Sequence, residues 1–139
     1  MKTDEDACFV RGSNFSVFFV RDSGDSFPAR DFLGAAVGSR HRRSFNRIAV
    51  TIDRFANTPP GQFRDPTRFK HVGGDIYEFR DDQVRVLCAY DGKGRMLLLD
   101  GVIKKRDELR HADIERAKRL LMEHRSNVTV LPDTVRSKK

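Results

Sequence analysis

Residues 77–90 read YEFRDDQVRVLCAY. Two runs of strand-forming residues flank Asp81-Asp82-Gln83, which has the polarity of a tight turn. Arg80 and Arg85 stand inside those runs, and a strand buried on both faces would reject them. The expectation is therefore a sheet with one packed face and one half-exposed face that carries charge. Alternation along the strands sharpens it. With two-residue turns here and at Asp91-Gly92-Lys93, an uncharged core face gathers Tyr77, Phe79, Val84, Val86, Cys88, Tyr90, Leu97, Leu99 and Ile103. The other face takes Ile76, Glu78, Arg80, Arg85, Leu87, Ala89, Met96, Leu98, Asp100, Val102 and Lys104, with the charges clustered at one end. That cluster is either a chemical site or a charge network that keeps an exposed sheet soluble.

Working outward, Phe15 to Arg21 (FSVFFVR) reads as a strand, closed by Asp22-Ser23-Gly24-Asp25-Ser26. Pro28 suits the first turn of a helix whose apolar positions are Phe32, Leu33, Ala36 and Val37, with Gly38 at its end. Ser39 is the expected N-cap of a longer helix, with a stripe of Phe45, Ile48, Ala49, Ile52, Phe55 and Ala56. Arg40, Arg42, Arg43, Arg47 and Arg54 lie mostly off that stripe. Asn57-Thr58-Pro59-Pro60-Gly61 ends it, and residues 57–73 read as a loop. Strands are expected near 75–80, 84–90 and 95–104, with Asp91-Gly92-Lys93-Gly94 as a hairpin turn. A final helix is expected over about 111–125, with Ile114, Ala117, Leu120 and Leu121 on its apolar face. Val128 to Leu131 could add a short edge strand. The element order is β-α-α-β-β-β-α. Residues 1–12 read as a flexible tail, 13–126 as the domain and 127–139 as a basic tail.

The chain has 139 residues, the length of one domain with a core of its own. Its formal net charge of +7 favours an anionic partner: nucleic acid, an acidic protein or a membrane surface. Two cysteines, Cys8 and Cys88, give neither a disulfide framework nor metal spacing. That usage fits a reduced, cytoplasmic setting. No apolar run is long enough for a signal peptide or a membrane span. The histidines at 41, 71, 111 and 124 show no metal spacing.

This order and its residues resemble the RelE/ParE toxin superfamily, in particular its phage-derived, HigB-like branch. The carrying segments are FFVRDSGDSFPARDFL at 18–33, FKHVGGDIYEFR at 69–80, VRVLCAY at 84–90, LLLDGVIKK at 97–105 and the helix IERAKRLL. The resemblance implies an α+β fold: a small twisted, mainly antiparallel sheet with helices packed on one face. It implies a toxin of a type II toxin–antitoxin pair. RelE-like members cut mRNA on the ribosome without a metal or other cofactor, and ParE-like members inhibit DNA gyrase instead. The implied partners are a cognate antitoxin, often of helix-turn-helix type, the ribosome and mRNA, with no membrane and no small-molecule substrate. A third reading is a degenerate prophage member that binds antitoxin or RNA without cutting. Three departures stand out. The link after the Lys pair is Arg106-Asp107-Glu108-Leu109-Arg110 rather than Ser/Thr- and Pro-containing, Asp100 could pair with Arg85 and dampen it, and no tyrosine lies near the C-terminus.

RNA cleavage of this kind uses the substrate's own 2′-hydroxyl. The protein positions the nucleotide, takes a proton and stabilises an anionic phosphorus. Arginine suits the last task, since its planar fork binds two phosphate oxygens and keeps its charge. Arg85 is the first candidate and Arg80 the second, although Arg80 could simply brace Glu78 or Asp100. Lys70 and Lys104 are candidates for proton transfer or phosphate contact. His71 is a candidate general base or an ordinary surface histidine. Arg64, Arg68, Lys105 and Arg106 are candidate RNA contacts. By alternation Lys105 points away from Lys104. The arginine-rich helix could meet ribosomal RNA or an acidic antitoxin, or be a solvated face.

Overall fold

The computed structural model describes residues 7–35, 40–104 and 111–130. In chain order the elements are β1 (Cys8–Arg11), β2 (Ser16–Phe19), α1 (Pro28–Gly34), α2 (Arg42–Ala56), β3 (Phe69–Gly73), β4 (Ile76–Asp81), β5 (Val84–Tyr90), β6 (Arg95–Ile103) and α3 (His111–Val130). The six strands form one sheet in the order β1-β2-β6-β5-β4-β3. Every neighbouring pair is antiparallel except β2 with β6, which is parallel. The fold is thus the expected α+β class, with two strands more than the sequence shows. β1 stands where a tail was expected, and β3 lies within the expected 57–73 loop. Both are edge strands with few fully buried side chains, so neither carries strong alternation. Aromatic contacts anchor them: Phe9 meets Phe19 at 5.4 Å and Phe69 stacks on Tyr77 at 5.4 Å.

Pro28 opens α1 as expected. The expected helix positions Ala36, Val37, Gly38 and Ser39 lie outside the described residues, and the N-cap position of α2 is His41. The stripe of α2 is close to that read: Phe45, Ile48, Ile52, Phe55 and Ala56 are buried and Ala49 is half-buried. They pack with Phe15, Val17, Phe19, Phe79, Val86, Cys88, Met96 and Leu98. Thr58 Oγ1 donates to the Arg54 carbonyl at 2.6 Å and Asn57 Nδ2 to that of Asp53 at 2.9 Å, closing the C-terminal turn. The opposite end is less comfortable. Arg42 and Arg43 occupy the first turn and no acid does. Cations there oppose the helix dipole, at about 0.3–1 kcal/mol each.

The register decides which side chains share a face. Arg80 pairs with Arg85 and Tyr77 with Cys88, the pairing that a two-residue turn requires. Asp82 takes a positive φ of 52° in that turn, a conformation short polar residues tolerate. Between β5 and β6 the register shifts: Leu87 pairs with Asp100 but Cys88 with Leu98. This bulge corrects the expected sorting of β6. Met96 and Leu98 enter the core under α2, whereas Leu97 and Leu99 face the other way. There they join Phe18, Val20, Ile76, Leu87 and Ala89 beneath Ala117, Leu120 and Leu121 of α3. Helices therefore cover both faces: α1 and α2 one, α3 the other. The face expected to be half-exposed is instead largely closed, because its apolar residues pack against Ala117, Leu120 and Leu121 of α3. The α3 segment also continues through residues 128–130, where an edge strand was expected.

One close approach fixes the N-terminal hairpin. The Ala56 carbonyl accepts from the backbone N–H of Asn14 and of Phe15, each at 2.9 Å. A Cβ on Gly12 would lie 2.3 Å from that oxygen. Gly12→Ala is expected to cost about 1–3 kcal/mol in a urea titration, since backbone on both sides must shift. Gly34→Ala is the control, because a Cβ there meets nothing within 4 Å; no loss is expected.

Candidate functional site

Strand alternation and register bring the charged residues together. Glu78 and Arg80 project from one face of β4, opposite Lys70 of β3 and Arg85 of β5 respectively. Lys104 follows β6, its N–H donating to the Gln83 carbonyl at 2.7 Å. Glu78 lies at the centre, only 2% exposed. Its Oε1 is 3.5 Å from Arg85 Nε and its Oε2 3.4 Å from Arg80 Nη1. Burial raises the Glu78 pKa above the usual carboxylate value, against the pull of Arg85, Arg80, Lys70 and Lys104 in that order. Four cations, from β3, β4, β5 and the end of β6, thus act on one carboxylate.

Their accessibility differs. Arg85 is 3% exposed and Lys104 5%. Arg85 Nη1 donates to the carbonyls of Asp82 at 2.5 Å and Val84 at 3.1 Å, so its fork is turned back onto its own turn. The Arg80 side chain is 24% exposed, and Lys70 is exposed. The expected pairing of Asp100 with Arg85 does not form. Asp100 Oδ2 accepts instead from Arg116 Nε of α3 at 2.7 Å, and its Oδ1 from the Gly101 N–H at 2.9 Å. Arg80 braces Glu78, one of the two partners foreseen for it.

His71 does not join this cluster. It pairs with Tyr77 across β3 and β4, so it points to the other face. There its ring lies 5.0 Å from that of Tyr77, and its Nε2 is 2.6 Å from the Gly74 carbonyl oxygen. Arg68 is also apart: its guanidinium pairs with Asp81, which Arg47 Nη1 reaches from the other side at 3.1 Å. Arg47 was read only as one of the arginines of this helix, and Asp81, 7% exposed, only as part of a turn, although an acid buried at a strand end signals a cationic partner. Arg64 is exposed in the loop after α2, and Lys105 and Arg106 lie outside the described residues.

An open groove of about 620 Å³ lies at the start of α2, lined by Arg40, Arg42, Arg43, Ser44, Asn46, Arg47 and Asp82. Another of about 610 Å³ runs between the β3–β4 turn and α3, past Asp75, Lys118, Leu121, Met122 and Arg125. None of the expected site residues lines it. Among the described residues no three His, Cys, Asp or Glu side chains come together as a metal site, and no helix is long and apolar enough to cross a membrane.

The model of the family described as "Phage derived protein Gp49-like (DUF891)" matches residues 42–122. The chain belongs to this Gp49-like family. It is a RelE/HigB-like toxin family, and the match runs from the start of α2 into α3. All four cations around Glu78 lie within the Gp49-like segment. No curated protein matches the chain.

Proposed function

We propose that this Gp49-like chain is the toxin of a type II toxin–antitoxin pair, of the HigB-like branch, and that it cuts mRNA on the ribosome. The observation that carries the reading is the convergence of Lys70, Arg80, Arg85 and Lys104 on Glu78. In the reaction the 2′-oxygen of the RNA bonds to the adjacent phosphorus and the bond to the 5′-oxygen breaks. One proton leaves the 2′-hydroxyl and one reaches the departing oxygen. Lys70 and Arg80, at the accessible edge, meet the phosphate and oppose its growing charge. Arg85 and Lys104 supply field from beneath, and Glu78 holds the arginines in place. The nucleophile comes from the RNA itself, so the scheme calls on no cofactor. A cognate antitoxin of helix-turn-helix type and a cytoplasmic setting complete the proposal.

A second reading is favoured by the burial of Arg85 and Lys104: a degenerate member that keeps the fold and binds without cutting. Cleavage of a defined end-labelled mRNA, with and without translating ribosomes, separates the two. Cuts only with ribosomes, reduced about 10²–10³-fold by the Lys70→Gln/Arg80→Gln double variant, are expected. Both changes are at the accessible edge, so circular dichroism should show a retained fold. Intact mRNA from folded protein would overturn the cleavage reading and leave the degenerate one, with gyrase inhibition the next assay.

A further inference from the structure

The groove at the start of α2 is unexplained by the cleavage site. Arg40, Arg42 and Arg43 crowd a helix end whose dipole disfavours them, and Arg47 lies in the next turn. Of these four arginines, only Arg47 is paired with a carboxylate among the described residues, that of Asp81. Among the described residues Asp82 is the single acid in the lining. A merely solvated face would place these cations where the helix favours them, or interleave acids among them. Positive charge is concentrated here against local preference, which points to an anion supplied from outside.

We infer that this groove docks the phosphate backbone of RNA, at a surface distinct from the cation cluster under α3. The inference rests on the proposed role in RNA cleavage for the identity of the ligand. Three features favour RNA over an acidic protein. The cations are all arginines, whose forks match phosphate oxygens. The other lining groups, Ser44 and Asn46, add a hydroxyl and an amide that also bond phosphate oxygens. Among the described residues no aromatic or large aliphatic side chain lines the groove, so none of them offers a protein partner an anchor. Arg47 is held ready by Asp81, and the Asp82 turn joins the groove to Arg85 through the Arg85 Nη1 bond to the Asp82 carbonyl. An RNA held on α2 therefore lies next to the turn between Arg80 and Arg85.

The test is fluorescence anisotropy with a labelled 2′-O-methyl RNA, which cannot be cut, over a salt series. Full-length wild type is compared with the Arg40→Gln/Arg42→Gln/Arg43→Gln variant. At least tenfold weaker binding is expected at low salt, with the slope of log affinity against log salt shallower by about 2, that is three phosphates at about 0.7 each. The thermal midpoint should hold or rise, because cations opposing the dipole are removed. Unchanged affinity and slope in a folded variant would overturn the inference. So would RNA binding that is intact while binding to a poly-glutamate peptide is lost, which would assign the groove to a protein. Docking that behaves as expected alongside uncut mRNA would count against the cleavage reading alone.

Discussion

Phe55→Ala is expected to lower the stability of the fold by about 3–5 kcal/mol, read from the midpoint of a urea titration. Phe55 is 2% exposed in the last turn of α2. Its ring lies 4.8 Å from Phe15, 5.0 Å from Phe69, 5.3 Å from Phe79, 5.7 Å from Phe63 and 6.1 Å from Tyr90. These neighbours belong to β3, β4, β5, the approach to β2 and the loop after α2. One truncation thus opens a void between the helix and most of the sheet. Each aromatic contact contributes about 0.5–1.5 kcal/mol beyond its buried area. Against a total stability of about 5–15 kcal/mol the loss is large. Phe55→Leu, which restores most of the volume, should recover more than half of it. A loss below about 1.5 kcal/mol for the alanine variant would mean that the surrounding rings collapse into the space.

Glu78→Ala is expected to destabilise by about 2–3 kcal/mol, because it empties a buried position in the sheet and takes away the carboxylate that Arg80 and Arg85 face. Glu78→Gln keeps the shape and adds a pH signature. Burial holds the Glu78 pKa above its usual 4.5, outweighing the cations led by Arg85. The folded protein therefore binds that proton more tightly than the unfolded chain does. The resulting contribution is complete below the unfolded value and is lost as pH rises through the folded one. The stability of wild type relative to Glu78→Gln should thus fall as pH rises across that window. A difference that grows with pH would show that the cations outweigh burial.

The β4–β5 hairpin was legible from its residues, because a tight turn and strict alternation leave one register. The stripe of α2 was legible for the equivalent reason at helical period. The face assignment of β6 was not, since both phases of MLLLD are apolar and a bulge leaves no mark in such a run. Ile114, Ala117, Leu120 and Leu121 announced an amphipathic helix, yet nothing local in them says which sheet face it covers. Once that helix is placed, the open charged face becomes a buried cluster. Within the site, Arg80, Arg85 and Lys104 followed from alternation and charge, whereas the pairing of Lys70 with Glu78 did not, because its strand was read as a loop. His71 did not join them, because it is one residue out of phase with Lys70. The Arg116–Asp100 pair joins a strand to a helix far along the chain, and no spacing rule connects them.

The parallel pairing of β2 with β6 has a consequence for how the protein comes into being. Val17 pairs with Met96 and Phe18 with Leu97. At roughly 5–20 residues per second, synthesis reaches those partners several seconds after the hairpin that awaits them. Until then the apolar edge of β2 has nothing to lie against, and the sheet is split. A polypeptide released early, before β6, would lack the strand that joins its two halves. Interrupted translation then yields fragments without the assembled fold, so whatever activity the sheet supports is confined to chains translated past β6.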